Sequence, residues 1–237
     1  MMLQKIINFS ITFISLFALH VAGHAADFKS AEIVFEVRMG SMKLGKGIDR
    51  LTLDGTQYTL VSQVIPKGLA SFFLDKVERV SRGTVSDEGI KPDTFQESGN
   101  KKKGESFATF DWVNQTIELD SKDGKQTLPL PESTIDQASL PYTFAFKNEE
   151  SKSESLHMTD GRRLKEYSYE RGETAKLSTS LGDINTTHYK KVVSDANDRQ
   201  FEFWLSHAHQ MLPVKLRFVD KKGRVIESFV TQLLITQ

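Results

Sequence analysis

Two closely spaced histidines are candidates for metal binding in this chain. His207 and His209 are separated by one residue, so on an extended strand both imidazoles would point to the same face. Paired imidazoles suit zinc or copper, but a third ligand is needed and the spacing nominates none. The pair lies between a strand that ends near Leu205 and a strand that begins at Pro213. We therefore interpret it as a solvated hairpin loop and predict no metal site.

A glycine-rich segment, residues 40–47, comes close to the phosphate-binding P-loop pattern. It ends in Gly47, where a P-loop needs Ser or Thr to hold magnesium. Its flanks alternate apolar and polar residues, whereas a P-loop follows a buried strand and opens a helix. We interpret the segment as a turn between two strands and predict no bound nucleotide.

Nucleophilic catalysis has no support in the sequence. The chain contains no cysteine, which excludes a thiol nucleophile, a disulfide scaffold and a cysteine-based metal site, and removes the residue that carries a lipid anchor. It also lacks the G-x-S-x-G elbow and a Ser-x-x-Lys motif with its companions. Acidic pairs such as Glu149 and Glu150 are typical of loop charges. We predict a non-enzymatic protein without a cofactor, and keep an envelope enzyme with Asp, Glu or His as acid and base as the alternative.

The first 25 residues have the pattern of a secretory signal peptide. Lys5 supplies a short positive region, and the apolar run that follows, residues 6–19, is short for a bilayer span of about 20 residues. Gly23 and Ala25 occupy the positions that a signal peptidase reads. We predict cleavage after Ala25, a periplasmic location and no transmembrane helix after cleavage. Residues 26–237 would then form a single domain.

The charge balance excludes two classes of partner. After cleavage the chain would keep 30 of its 31 Lys and Arg residues and all 31 Asp and Glu residues. Nucleic-acid binding depends on a basic surface, so we predict no nucleic-acid partner. The same balance argues against a module that is attracted as a whole to a charged membrane surface.

Alternation of apolar and polar residues dominates the rest of the chain. Ala31, Ile33, Phe35 and Val37 share one face of a strand, and similar runs recur towards the C-terminus. Asp-Gly dipeptides at residues 54–55, 123–124 and 160–161, together with Arg171-Gly172, Leu181-Gly182 and Lys222-Gly223, predict the turns. We therefore expect a mainly β fold of roughly a dozen strands. It would form a large curved antiparallel sheet, or an incomplete β-barrel, with one helix packed against it.

Two segments depart from the alternation. Residues 67–75 place apolar residues at helical spacing after Pro66, which predicts one or two turns. Residues 133–146 are the stronger helix candidate, because Ile135, Ala138, Tyr142 and Phe146 recur every three or four residues. Pro141 is expected to kink or end that helix.

Several predicted strands carry apolar residues on both faces, which indicates either cover on both sides or a lined cavity. We propose five aromatic residues as apolar walls of a ligand site, while each could equally belong to the core. They are Phe72, Phe73, Tyr142, Phe146 and Trp204.

The order of short motifs resembles an exported bacterial family catalogued as domain of unknown function 3108. The resemblance rests on segments spread over nearly the whole chain: the first strand leading to Gly45, Ser81-Arg82-Gly83, Gly89-Ile90-Lys91-Pro92, residues 136–142, Asp160-Gly161-Arg162-Arg163 and residues 203–215. It implies a periplasmic protein with one large curved sheet, and it carries over no catalytic residue. Pro141 and the polar stretch 148–154 depart from the family pattern.

Three hypotheses about function follow from these patterns. The first is an envelope protein that binds an apolar or amphiphilic ligand, such as a lipid or a lipidated or outer-membrane client, in the concave face of the sheet. The second is the glycan- or peptidoglycan-acting enzyme. The third is a scaffold that pairs with another protein through a sheet edge.

Overall fold

The computed structural model describes residues 28–147, 151–193, 195 and 198–237. The predicted signal peptide, residues 1–25, lies outside the described residues, as does the Glu149–Glu150 pair. In the described part the protein is one sheet of fifteen strands, so the mainly β prediction is confirmed. The strands are β1 (Ser30–Met39), β2 (Met42–Asp54), β3 (Gln57–Pro66), β4 (Val77–Ser86), β5 (Gly89–Ser98), β6 (Ser106–Asp111), β7 (Thr116–Ser121), β8 (Gly124–Pro129), β9 (Thr134–Asp136), β10 (Ser153–Thr159), β11 (Leu164–Thr179), β12 (Gly182–Lys191), β13 (Gln200–Ser206), β14 (Pro213–Val219) and β15 (Val225–Thr236).

Neighbouring strands of the sheet follow one another in sequence, as in a long meander, except at its centre, where the first strand of the chain pairs with the last. The first strand, β1, pairs antiparallel with β2 on one side and with the last strand, β15, on the other. From this centre the strands β2 to β8 extend in one direction and β15 to β9 in the other. We call β1–β8 the first half and β9–β15 the second half. All ladders are antiparallel except the short parallel pairing of β9 with β10.

Alternating burial explains why the sheet curves. In β1 the side chains of Ala31, Ile33, Phe35 and Val37 are buried while their neighbours are more exposed, so one face of the sheet needs cover. The sheet wraps around that face without closing into a barrel. Its edge strands, β8 and β9, follow each other in sequence, but no ladder joins them among the described residues.

Most predicted turns lie where expected. Asp54-Gly55, Asp123-Gly124, Asp160-Gly161, Leu181-Gly182 and Lys222-Gly223 each fall at a junction between two strands. Arg171-Gly172 is the exception, because it lies inside β11, where the register with β12 shifts between Arg171 and Thr174. That pair therefore marks a β-bulge rather than a turn.

The helix predicted for residues 133–146 is much shorter than expected. Residues Thr134–Asp136 form the strand β9, and the helix α1 spans only Leu140–Thr143. The Asp136 carboxylate accepts hydrogen bonds from the backbone N–H groups of Ala138 (2.8 Å) and Ser139 (2.9 Å), which turns the chain after the strand. Pro141 lies in the first turn of α1, where its missing amide donor costs nothing. The shorter prediction for residues 67–75 is met by a 3₁₀ turn at Gly68–Phe72.

The segment 137–147, which contains α1, lies between the two halves of the sheet. Tyr142 donates a hydrogen bond from its hydroxyl to the Asp49 carboxylate of β2 (2.6 Å). The Phe144 ring contacts Tyr189 (4.3 Å between centroids) and Phe203 (5.4 Å) in the second half. The helical periodicity of this segment therefore reflects burial against both halves rather than one apolar stripe on a long helix.

A buried carboxylate joins the two halves directly. Glu97 of β5 is 1% exposed and accepts hydrogen bonds from Arg79 (2.8 Å), Gln137 (3.0 Å) and Arg162 (3.0 Å). Arg162 comes from the β10–β11 turn and also donates to the carbonyl oxygen of Gly104 (2.7 Å). A buried charge is tolerated only when it is paired and hydrogen-bonded. The burial of Glu97 therefore stabilises the arrangement in which Arg79, Gln137 and Arg162 meet around its carboxylate.

Two further contacts hold the same seam. Ser81 of β4 donates to the Asp136 carboxylate and is itself hydrogen-bonded to the Tyr58 hydroxyl (2.6 Å). Ser106 of β6 donates to the carbonyl oxygen of Asp160 (2.9 Å). A side chain at Gly161 would place its Cβ 2.8 Å from the Ser106 Oγ, and Gly161 has a φ of +76°. Glycine therefore allows the β10–β11 turn to approach β6 closely.

We predict that Glu97→Gln lowers the free energy of unfolding by about 3 kcal/mol, because it leaves the mostly buried Arg162 without its counter-charge. Glu118→Gln is the matched control. Glu118 pairs with Lys125 at 3.5 Å on the surface, so its loss should cost less than about 1 kcal/mol. Denaturant unfolding checks both values, and equal stabilities for the two variants would contradict this role of Glu97.

Candidate functional site

The structure does not bring the five predicted ligand residues together around one cavity. Phe72 and Phe73 are 79% and 82% exposed on the β3–β4 loop. Tyr142 of α1 and Phe146, three residues after the end of this helix, are buried in the core. Trp204 follows the buried Phe203 on β13, so it points to the opposite face, where it stacks on His188 at 4.3 Å. None of the five lines the cavity described next, and their contact with a ligand stays a prediction.

A cavity of about 450 Å³ lies between the two halves, beside α1. The strands β2, β3 and β4 contribute one wall, strands β10 to β14 contribute the other, and Leu140 and Pro141 of α1 form its floor. The cavity therefore occupies the part of the concave face that the segment 137–147 leaves unfilled. Its apolar lining includes Leu140, Pro141, Met158, Phe201, Leu216 and Phe218, with Tyr167 and Tyr169 beside them.

The mouth of the cavity is basic. Lys103, Arg163 and Arg199 lie in loops around it, and Lys191 ends strand β12 there. A wider depression of about 690 Å³ continues outward from the same mouth and adds Lys165 and Lys221. Three acidic residues, Asp160, Glu166 and Asp198, line the mouth and the depression. These six cations therefore outnumber the acidic residues there.

Some of the mouth cations already have partners. The Lys191 Nζ donates to the Asp198 carboxylate (2.8 Å) and to the carbonyl oxygen of Arg199 (2.9 Å), and it lies 4.7 Å from the Tyr167 ring centroid. Arg163 is 3.6 Å from the Asp160 carboxylate and is about half exposed. The Arg163 pair is exposed and therefore weak, so Arg163 can exchange partners with an incoming anion, whereas the Lys191 side chain is only 8% exposed.

The floor holds a buried carboxyl group. Asp49 lines the cavity and accepts the hydrogen bond from the Tyr142 hydroxyl. Burial raises the pKa of Asp49 above its ordinary value, against the opposing effect of hydrogen bonds from Tyr142 and Ser62. Burial and the neighbouring Asp49 charge also raise the pKa of Tyr142 well above its ordinary range.

The residues that suggested other chemistry have structural partners. His207 shares a hydrogen bond with Thr187 (2.8 Å), and His209 shares one with Ser206 (2.7 Å). Among the described residues no group of three or more His, Cys, Asp or Glu residues could hold a metal ion. The glycine-rich segment 40–47 forms the β1–β2 turn and the start of β2, as its flanks predicted.

The sequence did not point to the residues that build the site. Glu97 and Asp49 look like ordinary polar positions of alternating strands, and the cavity walls come from strands that are distant in sequence. The sequence does contain one signal for the site. The motif Asp160-Gly161-Arg162-Arg163, which contributes to the family resemblance, supplies both the Arg162 contact with Glu97 and the Arg163 side chain at the mouth.

The pKa of Asp49 leads to a prediction about stability and pH. A carboxyl whose pKa is raised by folding favours the native state when protonated, and that contribution is lost as the pH rises through its folded pKa. Asp49→Asn removes the charge, so we expect it to raise the melting temperature at pH 8 by a few degrees, on the order of 1 kcal/mol. The difference should shrink towards pH 4.

The matched control is Asp54→Asn, which changes an exposed aspartate at the end of the same strand. Thermal unfolding followed between pH 4 and pH 8 should show no comparable pH-dependent gain for this variant. The quantity to compare is the melting temperature of Asp49→Asn minus that of the wild type. A smaller difference at pH 8 than at pH 4 would contradict a raised pKa of Asp49.

Comparison with known proteins agrees with this architecture. One similar solved structure is the crystal structure of a β-barrel-like protein of domain of unknown function DUF1849 from Brucella abortus. The match covers 90% of this chain and 100% of that one, with a TM-score of 0.58 and 11% sequence identity, so it supports the fold alone. No curated protein matches the chain. No helix of the described residues is long and apolar enough to cross a membrane.

A family model matches most of the chain and agrees with the resemblance drawn from the motifs. It covers residues 34–229, from the first strand to the last, and includes the buried Glu97 seam and the cavity walls. The chain therefore belongs to the family described as Protein of unknown function (DUF3108).

Proposed function

We propose that this protein is a non-enzymatic binding protein that takes an amphiphile with an anionic head group into the cavity beside α1. The observation that carries the proposal is the division of the cavity into an apolar interior and a basic mouth. Ligand sites in proteins are mostly apolar cavities of about 300–1,000 Å³ with a few polar groups that orient the ligand.

The apolar interior suits a hydrocarbon chain. Met158, Leu216 and Phe218 offer aliphatic and aromatic surface to a ligand that enters past the mouth. Burying each CH₂ group there would contribute about 0.8 kcal/mol. Because the segment 137–147 fills much of the concave face, the remaining space suits one chain, or part of one, rather than a large apolar client.

The basic mouth suits a carboxylate or phosphate head. Arg163 and Arg199 have planar guanidinium groups, which can donate two parallel hydrogen bonds to such an anion. A head group held there would keep its charge near solvent while its chain extends towards Leu140 on the floor.

The two carboxyl groups of the cavity favour binding over catalysis. Asp49 holds the Tyr142 hydroxyl on the floor. Asp160 accepts hydrogen bonds from the backbone N–H groups of Arg162 and Arg163, both at 3.2 Å, within its own turn. Each carboxyl thus has a structural partner, and this supports the binding proposal over the envelope-enzyme alternative.

Export belongs to the same proposal. The signal-peptide pattern of residues 1–25 would send the protein to the periplasm, where lipids and lipidated proteins are available as ligands. We therefore propose an envelope lipid, or the acyl chain of a lipidated client, as the class of ligand.

The experiment is native mass spectrometry of the protein purified from the periplasmic fraction without detergent, where an N-terminus at Ala26 is expected. Oleate and lysophosphatidylglycerol are then added as defined probes. We expect a co-purified amphiphile, or one-to-one binding of at least one probe together with a higher melting temperature. Neither a bound amphiphile nor a thermal shift with either probe would overturn the proposal.

Two variants locate the binding. Leu216→Trp fills the cavity and should weaken probe binding at least about tenfold, since the displaced chain loses its buried surface. Leu234→Trp adds the same bulk at an exposed position of β15 and should leave binding unchanged. At the mouth, Arg163→Gln combined with Arg199→Gln should weaken oleate binding, whereas Arg50→Gln on the surface of β2 should not. Equal binding by all four would contradict the cavity as the site.

A further inference from the structure

An exposed group of apolar side chains lies at one end of the sheet. We call it the apolar loop patch and define it as Leu69, Phe72, Phe73 and Leu74 of the β3–β4 loop with Met42 of the β1–β2 hairpin. Leu69 is 80% exposed, as much as the two phenylalanines. Soluble proteins seldom expose neighbouring large apolar side chains without a partner, so the patch indicates an interaction site.

The loop that presents the patch is an ordered turn. The backbone N–H groups of Phe73 and Leu74 both donate to the carbonyl oxygen of Ala70, at 3.1 and 2.9 Å. The loop is fixed to β2 by the hydrogen bond from the Lys67 N–H to the carbonyl oxygen of Leu44 (2.9 Å). The side chains therefore point outward because of the fold of the loop, which contacts the sheet through its backbone.

The end of the sheet that carries the patch is basic. Because the meander alternates direction, seven strand connections lie at this end, which we call the basic end. They contain twelve Lys or Arg residues and seven Asp or Glu residues. The connections are residues 40–41, 67–76, 99–105, 122–123, 160–163, 192–199 and 220–224.

The opposite end lacks this excess of cations. The long β9–β10 connection reaches it with Lys147 and Lys152, but its other six connections contain no Lys or Arg and include Asp87, Glu88 and Glu132. These six connections are residues 55–56, 87–88, 112–115, 130–133, 180–181 and 207–212. A chain that is neutral overall is thus strongly polarised along its strands.

We infer that the basic end docks on an anionic lipid bilayer, with Phe72 and Phe73 inserted at the level of the acyl boundary and the loop lysines against the lipid phosphates. Apolar side chains combined with surrounding lysines are the pattern by which peripheral proteins bind such surfaces. Lys67, Lys76 and the run Lys101–Lys103 flank the patch; Lys101 contacts Asp75 of the same loop through its backbone N–H (3.0 Å).

Charge favours a bilayer over a second copy of this chain. Two basic ends facing each other would bring like charges together, which opposes association. Cations spread over six loops at one end match an extended anionic surface, in which each charge near the surface strengthens binding. The chain as a whole carries no net charge, so the attraction comes from this one end rather than from the balance of the sequence.

Docking would also place the cavity mouth at the membrane. Lys103, Arg163 and Arg199 of the mouth belong to loops of the basic end. Exchange of a ligand between cavity and bilayer rests on the proposed function, whereas docking itself does not. The two are therefore measured separately, docking by vesicle binding and ligand uptake by mass spectrometry.

The test is binding of the protein purified from the periplasmic fraction, as for mass spectrometry, to vesicles made of one part phosphatidylglycerol to two parts phosphatidylcholine, followed by flotation. Phe72→Ser combined with Phe73→Ser should lower the vesicle-bound to free ratio at least about tenfold, through the loss of buried apolar surface. Lys101→Gln combined with Lys102→Gln should lower it severalfold and weaken its dependence on salt.

Val113→Ser is the matched control. Val113 is 93% exposed on the β6–β7 turn at the opposite end, so its loss should leave vesicle binding unchanged. A local probe reports insertion of the loop directly: the tryptophan fluorescence of Phe73→Trp should shift to the blue on these vesicles and be quenched by brominated lipids. Val113→Trp should do neither.

Three outcomes would overturn the inference. The first is a Phe73→Trp emission that does not change on anionic vesicles. The second is equal binding by the Phe72→Ser/Phe73→Ser variant and the wild type. The third is loss of self-association or of a co-purifying protein in the double variant without any effect on vesicles, which would assign the patch to a protein partner.

Discussion

The buried carboxylate of Glu97 is the main polar contact that keeps the two halves of the sheet wrapped around the core, and the Ser81–Asp136 and Ser106–Asp160 contacts hold the same seam. The two halves of the sheet share one central pairing, β1 with β15, and their outer strands could separate without breaking a ladder. Glu97 on β5 instead requires donors from both halves: Arg79 from the neighbouring strand, and Gln137 and Arg162 from across the fold. Leaving this charge unpaired would cost several kcal/mol, so the sheet stays wrapped.

This constraint determines where empty space remains. The wrapped halves hold the segment 137–147 between them, with Tyr142 bonded to the first half and Phe144 packed against the second. The segment fills the middle of the concave face and leaves a cavity towards one end. That end also carries most of the cationic loops. A barrel-like fold without such a segment would have a deeper and more general cavity.

Local patterns of the sequence were enough to predict the fold class. They did not predict the short helix α1 correctly, because its segment is buried from two sides. The alternation in β1 and the Asp-Gly turns depend on neighbours in sequence, so they could be read directly. The spacing of Ile135, Ala138 and Tyr142 predicts a long helix. In the structure the two halves of the sheet enclose this part of the chain, and residues that are buried on both sides are apolar at many spacings. The sequence predicts Phe72 and Phe73 as apolar walls of a ligand site, and the structure places both exposed on the β3–β4 loop; exposure of an apolar residue leaves no mark on its sequence. The cavity itself is formed by strands far apart in the chain, and no local pattern encodes their approach.

We propose that the fold, the mixed lining of the cavity and the polarised ends together suit the binding of a chain-like anion at the basic mouth. A crystal structure of the protein with oleate tests this most directly. We predict one oleate in the cavity, with its chain between Leu140 and Phe218 and its carboxylate within hydrogen-bonding distance of Arg163 or Arg199. A cavity that holds only water while oleate binds elsewhere on the surface would contradict it.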